Sequence, residues 1–301
     1  MLDFRVRTLI EVCRYMNFTR AAESLNITQP TVSQHIRWLE EQYNTTIFTF
    51  SGKKMSLTES GRQILNMAVT MAHDEQFLKK QIEEQGRGKQ EIRFGATLSI
   101  GESVVGDWVA RRLSEHPEDH ISVTVANTKR LAQMLNDGAI DFALVEGYFE
   151  KKEFDYQLLS REAYVCVCAP SVYQRITKKK NHVSMKALMG ELLLIREPGS
   201  GTREILEKNL RENNYGPEDF FHMAEINNIS SIKKAVRRGC GITFLYQRAA
   251  EEEIERGTLQ ILPVEGFPLF HEWVAIWRKG SAFAPLYQDF LEQFREKRTD
   301  V

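Results

Sequence analysis

Apolar positions recur at helical spacing three times within the first 43 residues. Phe4, Leu9, Val12 and Cys13 mark one face of a helix over Phe4–Tyr15. Ala21, Ala22 and Leu25 mark a second over Arg20–Leu25, and Val32, Ile36 and Leu39 mark a third, with Phe18 expected to pack between them. Asn26-Ile27 separates the last two helices as a tight turn. Thr28 offers a hydroxyl to cap the third helix, and Gln29-Pro30 fills its first turn, where a missing N–H costs nothing. The opposite face of that helix carries Gln29, Thr31, Ser33, Gln34 and Arg37. Short neutral donors and acceptors with one arginine suit a helix that reads base edges while its margins hold phosphates.

Alternation takes over after Tyr43. Ile47, Phe48, Met55 and Leu57 predict a two-stranded hairpin turned at Gly52, with Lys53 and Lys54 at its tip to reach phosphates or the adjacent minor groove. Thr58 then caps a long helix. Its apolar residues Ile64, Met67, Met71, Leu78 and Ile82 lie close to a heptad seam, which Asp74 interrupts. A stripe of that length predicts a partner helix from a second chain; packing on the chain's own domain is the alternative. The glycines of GRGK at 86–89 end the helix and open a hinge.

From Glu91 strands alternate with helices. EIRFGAT, ISVTVAN and FALVEG read as strands, with helices through VVGDWVARRL and KRLAQMLNDG between them, which predicts a parallel β-α-β-α-β series. LLSREAYVCVCAP carries a strand out of this first lobe. LLLIRE, GITFLYQ and the intervening helices form a second, HEWVAIWRKG returns as a strand, and PLYQDFLEQFREK closes the chain as a helix on the first lobe.

The motif FTRAAESLNITQPTVSQHIRWLEE resembles the DNA-binding segment of LysR-type transcriptional regulators, and the similarity continues through SLTESGRQIL to the C-terminus. The resemblance implies an α/β protein with an all-α, winged N-terminal domain: a winged helix-turn-helix over 1–58, a linker and dimerisation helix with its hinge over 59–88, and a two-lobed, periplasmic-binding-protein-like effector domain over 89–301. Lobe 1 would take about 89–161 and 267–301, lobe 2 about 162–266. The implied DNA contacts are Arg20, Thr28, Gln29, Pro30, Thr31, Ser33, Gln34, Arg37, Lys53 and Lys54. Ile47-Phe48-Thr49-Phe50 departs from the family's Leu-Phe-x-Arg, so Phe50 stands where a phosphate-binding arginine is usual. The implied assembly is a homodimer or homotetramer on a double-stranded operator, with RNA polymerase as a further partner.

Charge sharpens this picture. The net charge is −1 over 301 residues, and residues 1–58 hold seven Arg or Lys against five acids, an excess of +2. So small an excess implies modest non-specific affinity and reliance on a dimer that doubles the contacts. No apolar run approaches the ~20 residues of a spanning helix, and MLDFRVRTL lacks the apolar core of a secretion signal, so a cytoplasmic protein without membrane association is expected. That argues against the runner-up, a solute-binding protein for transport. Cys13, Cys166, Cys168 and Cys240 match no zinc spacing; Cys166 and Cys168 share one strand face as small core residues. GSGT lacks the lysine of a phosphate-binding P-loop, and no nucleophile, catalytic residue, cofactor or metal cluster is indicated.

Three loops follow strands and precede helices, where ligands of open α/β sheets bind. They place Thr97, Ser99 and Ile100, then Arg196, Ser200 and Thr202, then Asn228 and Ser230 around one cleft, with Glu146 at the end of FALVEG. Helix N-termini converging there favour a small anionic metabolite, though Ser, Thr and Asn at such places also serve simply as caps. An acid at 146 suits a ligand with an amino or hydroxyl group, or excludes a dianion. Arg196, Glu197 and Arg203 either bind ligand charge or pair with each other. The RExGSGTR wording resembles family members that regulate sulfur or carbon assimilation.

Overall fold

The computed structural model describes residues 2–52, 54–85, 91–146, 148–178 and 181–295. Three helices open the chain: α1 (Phe4–Tyr15), α2 (Phe18–Leu25) and α3 (Gln29–Gln42). Leu9, Val12, Ala21, Ala22, Val32, Ile36 and Leu39 meet in one core, as their spacing predicts. Phe4 is a correction: it lies largely exposed, its ring edge-on to His35. Asn17 caps α2 and Thr28 caps α3, and Asn26 adopts a left-handed conformation between them, which Asn tolerates better than most residues. The wing is β1 (Phe48–Ser51) antiparallel to β2 (Lys54–Leu57). Its tip residue Lys53 and the expected hinge at 86–89 lie outside the described residues.

Helix α4 (Glu59–Gln85) starts under the wing. Thr58 Oγ1 accepts from Gly61 N at 2.8 Å and donates to Thr46 O at 2.6 Å. A Cβ on Gly61 would stand 2.2 Å from the Ile47 carbonyl oxygen, so glycine lets the helix pass the first wing strand. Gly61→Ala is expected to cost about 1–3 kcal/mol as the wing is pushed off the helix. Urea unfolding of the full chain measures that cost, and an unchanged first transition would rule it out.

Further along, α4 has two faces. Met67, Met71, Leu78 and Ile82 are 47–61% exposed, as the seam predicts, while Ile64 packs on the N-terminal core. The other face packs on the chain's own effector domain, as the alternative reading has it. Thr70 Oγ1 donates to Lys279 O at 3.1 Å, His73 Nε2 lies 3.1 Å from Ile140 O, and the Phe77 ring sits 4.4 Å from that of Phe283. Asp74 accepts from Ser281 Oγ at 2.6 Å and Ala282 N at 2.8 Å. It therefore belongs to this docking face and does not break the seam.

The remaining elements are β3 (Glu91–Ala96); a helix that begins as α5 (Leu98–Ile100), widens into a π-turn over Gly101–Val105 and continues as α6 (Gly106–Glu115); β4 (His120–Val125); α7 (Thr128–Asn136); β5 (Phe142–Glu146); β6 (Phe154–Cys168); α8 (Pro170–Thr177); α9 (Met185–Leu188); β7 (Leu192–Ile195); α10 (Gly201–Glu212); β8 (His222–Glu225); α11 (Ile229–Arg237); β9 (Ile242–Tyr246); α12 (Glu251–Glu255); β10 (Gln260–Leu262); β11 (Leu269–Arg278) and α13 (Ala284–Arg295). Strand order is β4-β3-β5-β11-β6-β9-β7-β8, with β10 also on β6. As predicted, β3 runs parallel to β4 and β5; in the second lobe β7 runs parallel to β9 and to β8, a strand the sequence reading did not name. The sheet is nonetheless mixed. The long strands β6 and β11 pair antiparallel and join the two parallel sets, with a register shift between Trp273 and Val274. Helices cover both faces, so β5 and β9 are buried along their whole length. α13 returns onto the first set, where Phe290 packs near Phe142 and Phe294 stacks on Trp108.

Candidate nucleic-acid interface and effector cleft

The α3 helix presents the polar face its sequence predicts. Gln29, Pro30, Gln34 and Arg37 are exposed, Thr31 and Ser33 half-exposed, and Arg20 and Thr28 exposed beside them. Gln29 Nε2 donates to Ser33 Oγ at 2.9 Å, and the Thr28 and Thr31 hydroxyls lie 2.8 Å apart. These bonds hold the side chains in place before DNA arrives, and the Gln29 carbonyl oxygen makes none of them. Other α3 side chains serve the fold. His35 Nδ1 meets Thr8 Oγ1 at 2.9 Å, and the Arg5 guanidinium lies 3.9 Å over the Trp38 ring. Partial burial, then the Arg5 charge, holds the His35 pKa below its usual value, which fits a structural histidine. On the wing Lys54 is exposed, and Phe50, which stands where the family usually carries an arginine, is 65% exposed and pairs across the hairpin with Met55.

A cavity of about 210 Å³ opens at the carboxyl ends of β3, β4, β5 and β7. Thr97, Glu146, Arg196 and Ser200 line it, together with Leu98, Val125, Ala126, Asn127, Glu197, Gly201 and Asn227. The other anticipated residues stand behind or beside it. Ile100 is wholly buried in the lobe core, and Ser99 and Thr202 are buried. Asn228 caps α11 by accepting from Ser231 N at 2.8 Å. Ser230 Oγ instead crosses to the opposite lobe and donates to Glu102 Oε2 at 3.2 Å, where the π-turn brings that acid outward.

The capping alternative divides the loops. Asn228 caps α11 and Asn127 caps α7. Thr97 and Ser200 cap nothing: the Thr97 hydroxyl donates to the Glu146 carboxylate, and the Ser200 hydroxyl lies 2.8 Å from that of Thr202. The first amides of α5 and α10 are thus left without side-chain caps at the cavity wall, with the positive end of each helix dipole behind them. Arg196 spends its charge on Glu197 through two bonds of 2.7 Å. Arg203 is held within its own lobe by Glu207 at 2.6 Å and Glu225 at 2.7 Å. Glu146 is 2% exposed, and burial pushes its pKa up while the Thr97 and Ser99 hydroxyls, then the Arg196 charge, pull it back.

The chain matches the bacterial regulatory helix-turn-helix family of the lysR type over residues 5–62 and the LysR substrate binding domain over residues 85–299. The chain belongs to the LysR family of transcriptional regulators. It is 29% identical over 265 residues to the HTH-type transcriptional regulator CysL of Bacillus subtilis, spanning 88% of this chain and 87% of that one. With the regulator CbbR of Rhodospirillum rubrum it shares 30% identity over 280 residues, 91% and 89% of the two chains. In structure it is similar to full-length LysG of Corynebacterium glutamicum, solved with bound effector Arg, at a TM-score of 0.66 and 15% identity over 98% of each chain.

For a LysR-type regulator the sequence pointed to three cleft loops, and the structure adds a fourth. Asn127, at the end of β4, lines the cavity and carries the same signature of an Asx residue ahead of a helix. Asn227 lines it where Asn228 was expected, because Asn228 is spent on its helix. Cys166 and Cys168 are buried free thiols. Burial raises both pKa values, that of Cys168 to about 12, which disfavours the reactive thiolate. Among the described residues no group of His, Cys, Asp and Glu could hold a metal ion, and no helix is long and apolar enough to cross a membrane.

Proposed function

We propose that this LysR-type regulator reads its operator with Gln29, Thr31, Ser33 and Gln34, holds phosphates with Arg20, Arg37, Lys53 and Lys54, and responds to a small metabolite whose anionic group sits at the uncapped start of α10. Thr28 and Pro30 set the first turn of the reading helix. Thr97, Glu146, Arg196 and Ser200, with Asn127, are the ligand-facing residues; Ser99, Ile100, Thr202, Asn228 and Ser230 support them from behind. The observation that carries the ligand reading is that α10 meets the cavity with no side-chain cap. An anion there completes a site the protein leaves open. The CbbR and CysL relatives and the RExGSGTR loop favour a role in sulfur or carbon assimilation, and the protein acts in the cytoplasm where its DNA is.

A dimer formed through the exposed face of α4 sets two recognition helices about one turn of DNA apart, ~34 Å, on a pseudo-palindrome, and two dimers make the tetramer. Ligand biases the assembly only so far as it binds the two lobe arrangements with different affinity. The Ser230–Glu102 contact across the lobes is one that a change in lobe angle would make or break.

The DNA half is tested on a fragment that the wild-type chain selects from a random pool. Gln29→Ala should weaken that fragment by ~1–3 kcal/mol and leave random DNA nearly unchanged. Lys54→Ala should weaken both alike and lower the salt slope by about one. Equal losses on both DNAs from Gln29→Ala would remove α3 residue 29 from the reading surface.

A further inference from the structure

The cleft holds a buried acid that the protein answers only in part. Among the described residues lining it are two acids, Glu146 and Glu197, and one cation, Arg196. Arg196 is committed to Glu197 through both of that acid's oxygens. Glu146 therefore lies 2% exposed among neutral hydroxyls, those of Thr97 and Ser99, and draws less from the Arg196 charge that Glu197 already engages. Burying a carboxylate without a counter-charge is costly, and a protein removes that cost by protonating the acid or by supplying a cation.

Two further features show that this end of the cavity is a built polar site. Ser99 Oγ is buried behind the cavity wall and adds to the Thr97 hydroxyl in favouring the charged form of Glu146, and Tyr246 OH is buried with the Trp273 side chain beside it. The Glu146 charge adds to burial in raising the Tyr246 pKa, so the phenol stands near the acid. Trp273 faces Glu146 across the β5–β11 ladder and packs edge-on against Tyr246, their rings 5.2 Å apart. Gly201 is fitted to the acid as well: a Cβ there would stand 3.0 Å from Glu146 Cγ. The first residue of α10 thus lies directly against Glu146, and the open amides of that helix and the buried acid face one small space.

From this juxtaposition we propose that the effector is a zwitterion, a small α-amino acid whose carboxylate lies at the α10 N-terminus and whose ammonium group lies against Glu146. The proposal rests on the cleft being the effector site. A pure dianion such as sulfate or a phosphate ester would meet the helix amides favourably but would place its charge beside a second, buried anion. An amino acid meets both ends. The volume of about 210 Å³ suits such a molecule and falls below the ~300–1,000 Å³ of sites that hold drug-sized ligands.

The experiment is a thermal scan of the full chain with each of the twenty protein-building amino acids, their 2-hydroxy-acid counterparts where these exist, and sulfate, phosphate and acetate. At least one amino acid should raise the melting temperature while its 2-hydroxy counterpart does not. Glu146→Gln should weaken that amino acid by about thirtyfold or more, the loss typical of one partner of a buried charge pair. The amino-acid and hydroxy-acid comparison needs only wild-type protein, so it stands if the variant fails to fold. A shift from sulfate, phosphate or a hydroxy acid with none from any amino acid would overturn the proposal and leave the cleft as an anion site. The same holds for an amino-acid shift that Glu146→Gln leaves intact, because glutamine would then be mimicking a protonated acid that donates to the ligand. Silence from every probe would count against the cleft reading itself as well as against this proposal.

Discussion

Arg93→Met is expected to destabilise the effector domain by about 3–5 kcal/mol at neutral pH, the typical result of removing one partner from a buried ion pair. Arg93 on β3 meets Asp141, just before β5, through Nη2–Oδ1 at 2.5 Å and Nε–Oδ2 at 3.2 Å. Both are buried, and Arg93 Nη1 also donates to the Gly138 carbonyl at 3.3 Å. Methionine retains most of the volume, so the loss is electrical: Asp141 is left buried with its nearest counter-charge gone. Burial already raises the Asp141 pKa, with Arg93 the main opposing influence. A carboxyl whose folded pKa is raised above its unfolded value favours the folded state at low pH, and that advantage is lost as pH climbs through the folded pKa. The deficit of Arg93→Met should therefore shrink as pH falls from neutral into the acid range. Adding Asp141→Asn should restore much of the loss at neutral pH, because the uncompensated charge is then removed. Urea melts of wild type, the two single variants and the double variant complete the cycle. An Arg93→Met deficit below about 1 kcal/mol, or one that Asp141→Asn deepens, would show that this pair does not carry the packing of β3 on β5.

How much of this was legible in the sequence follows from which forces are local. The recognition helix was, because Val32, Ile36 and Leu39 lie on one face over about two helical turns and Thr28 caps its own helix. So were β5 and β9, short apolar runs bounded by turn residues, whereas β8 and β10, short and only partly buried, were not. The second face of α4 was not. Asp74 reads as an interruption until Ser281 and Ala282, more than two hundred residues away, arrive to bond it. Nor could the sequence separate caps from ligand groups. Thr97, Ser200, Asn127 and Asn228 are all polar residues ahead of helices, and only the folded geometry shows that the two asparagines cap while the threonine and serine turn elsewhere. Ile100 belongs to the loop 96–101, whose hydroxyls and free backbone N–H groups predict a ligand contact. A widened turn begins at the next residue, and Ile100 itself points into the core. Glu146 was legible as a strand-end acid; that its side chain would be met by a hydroxyl and not by Arg196 depends on Glu197 taking both bonds of that arginine.

The larger effect on function is expected from Met71→Asp combined with Leu78→Asp on the outer face of α4. Both side chains are about half exposed and make no part of the docking face formed by Thr70, His73, Asp74 and Phe77. The single chain should therefore fold with little change in stability. Met67, Met71, Leu78 and Ile82 form a row of large apolar groups along one side of a 27-residue helix whose other side is already occupied. A row of that kind, left in water, is an interface in waiting. If a second copy covers it, two aspartates at its centre bury like charges from both chains and dissociate the dimer. Operator affinity then falls by about 10²–10⁴-fold, because each head must bind its half-site without the effective concentration the other provides. The modest excess of +2 on residues 1–58 makes the monomer's own affinity weak, which widens the gap. Light scattering on an eluting peak gives the mass, and titration of the selected DNA gives the affinity. A variant that remains dimeric and binds operator as tightly as wild type would move the dimer contact to another surface. A variant that becomes monomeric yet keeps its operator affinity would show that one head suffices for recognition.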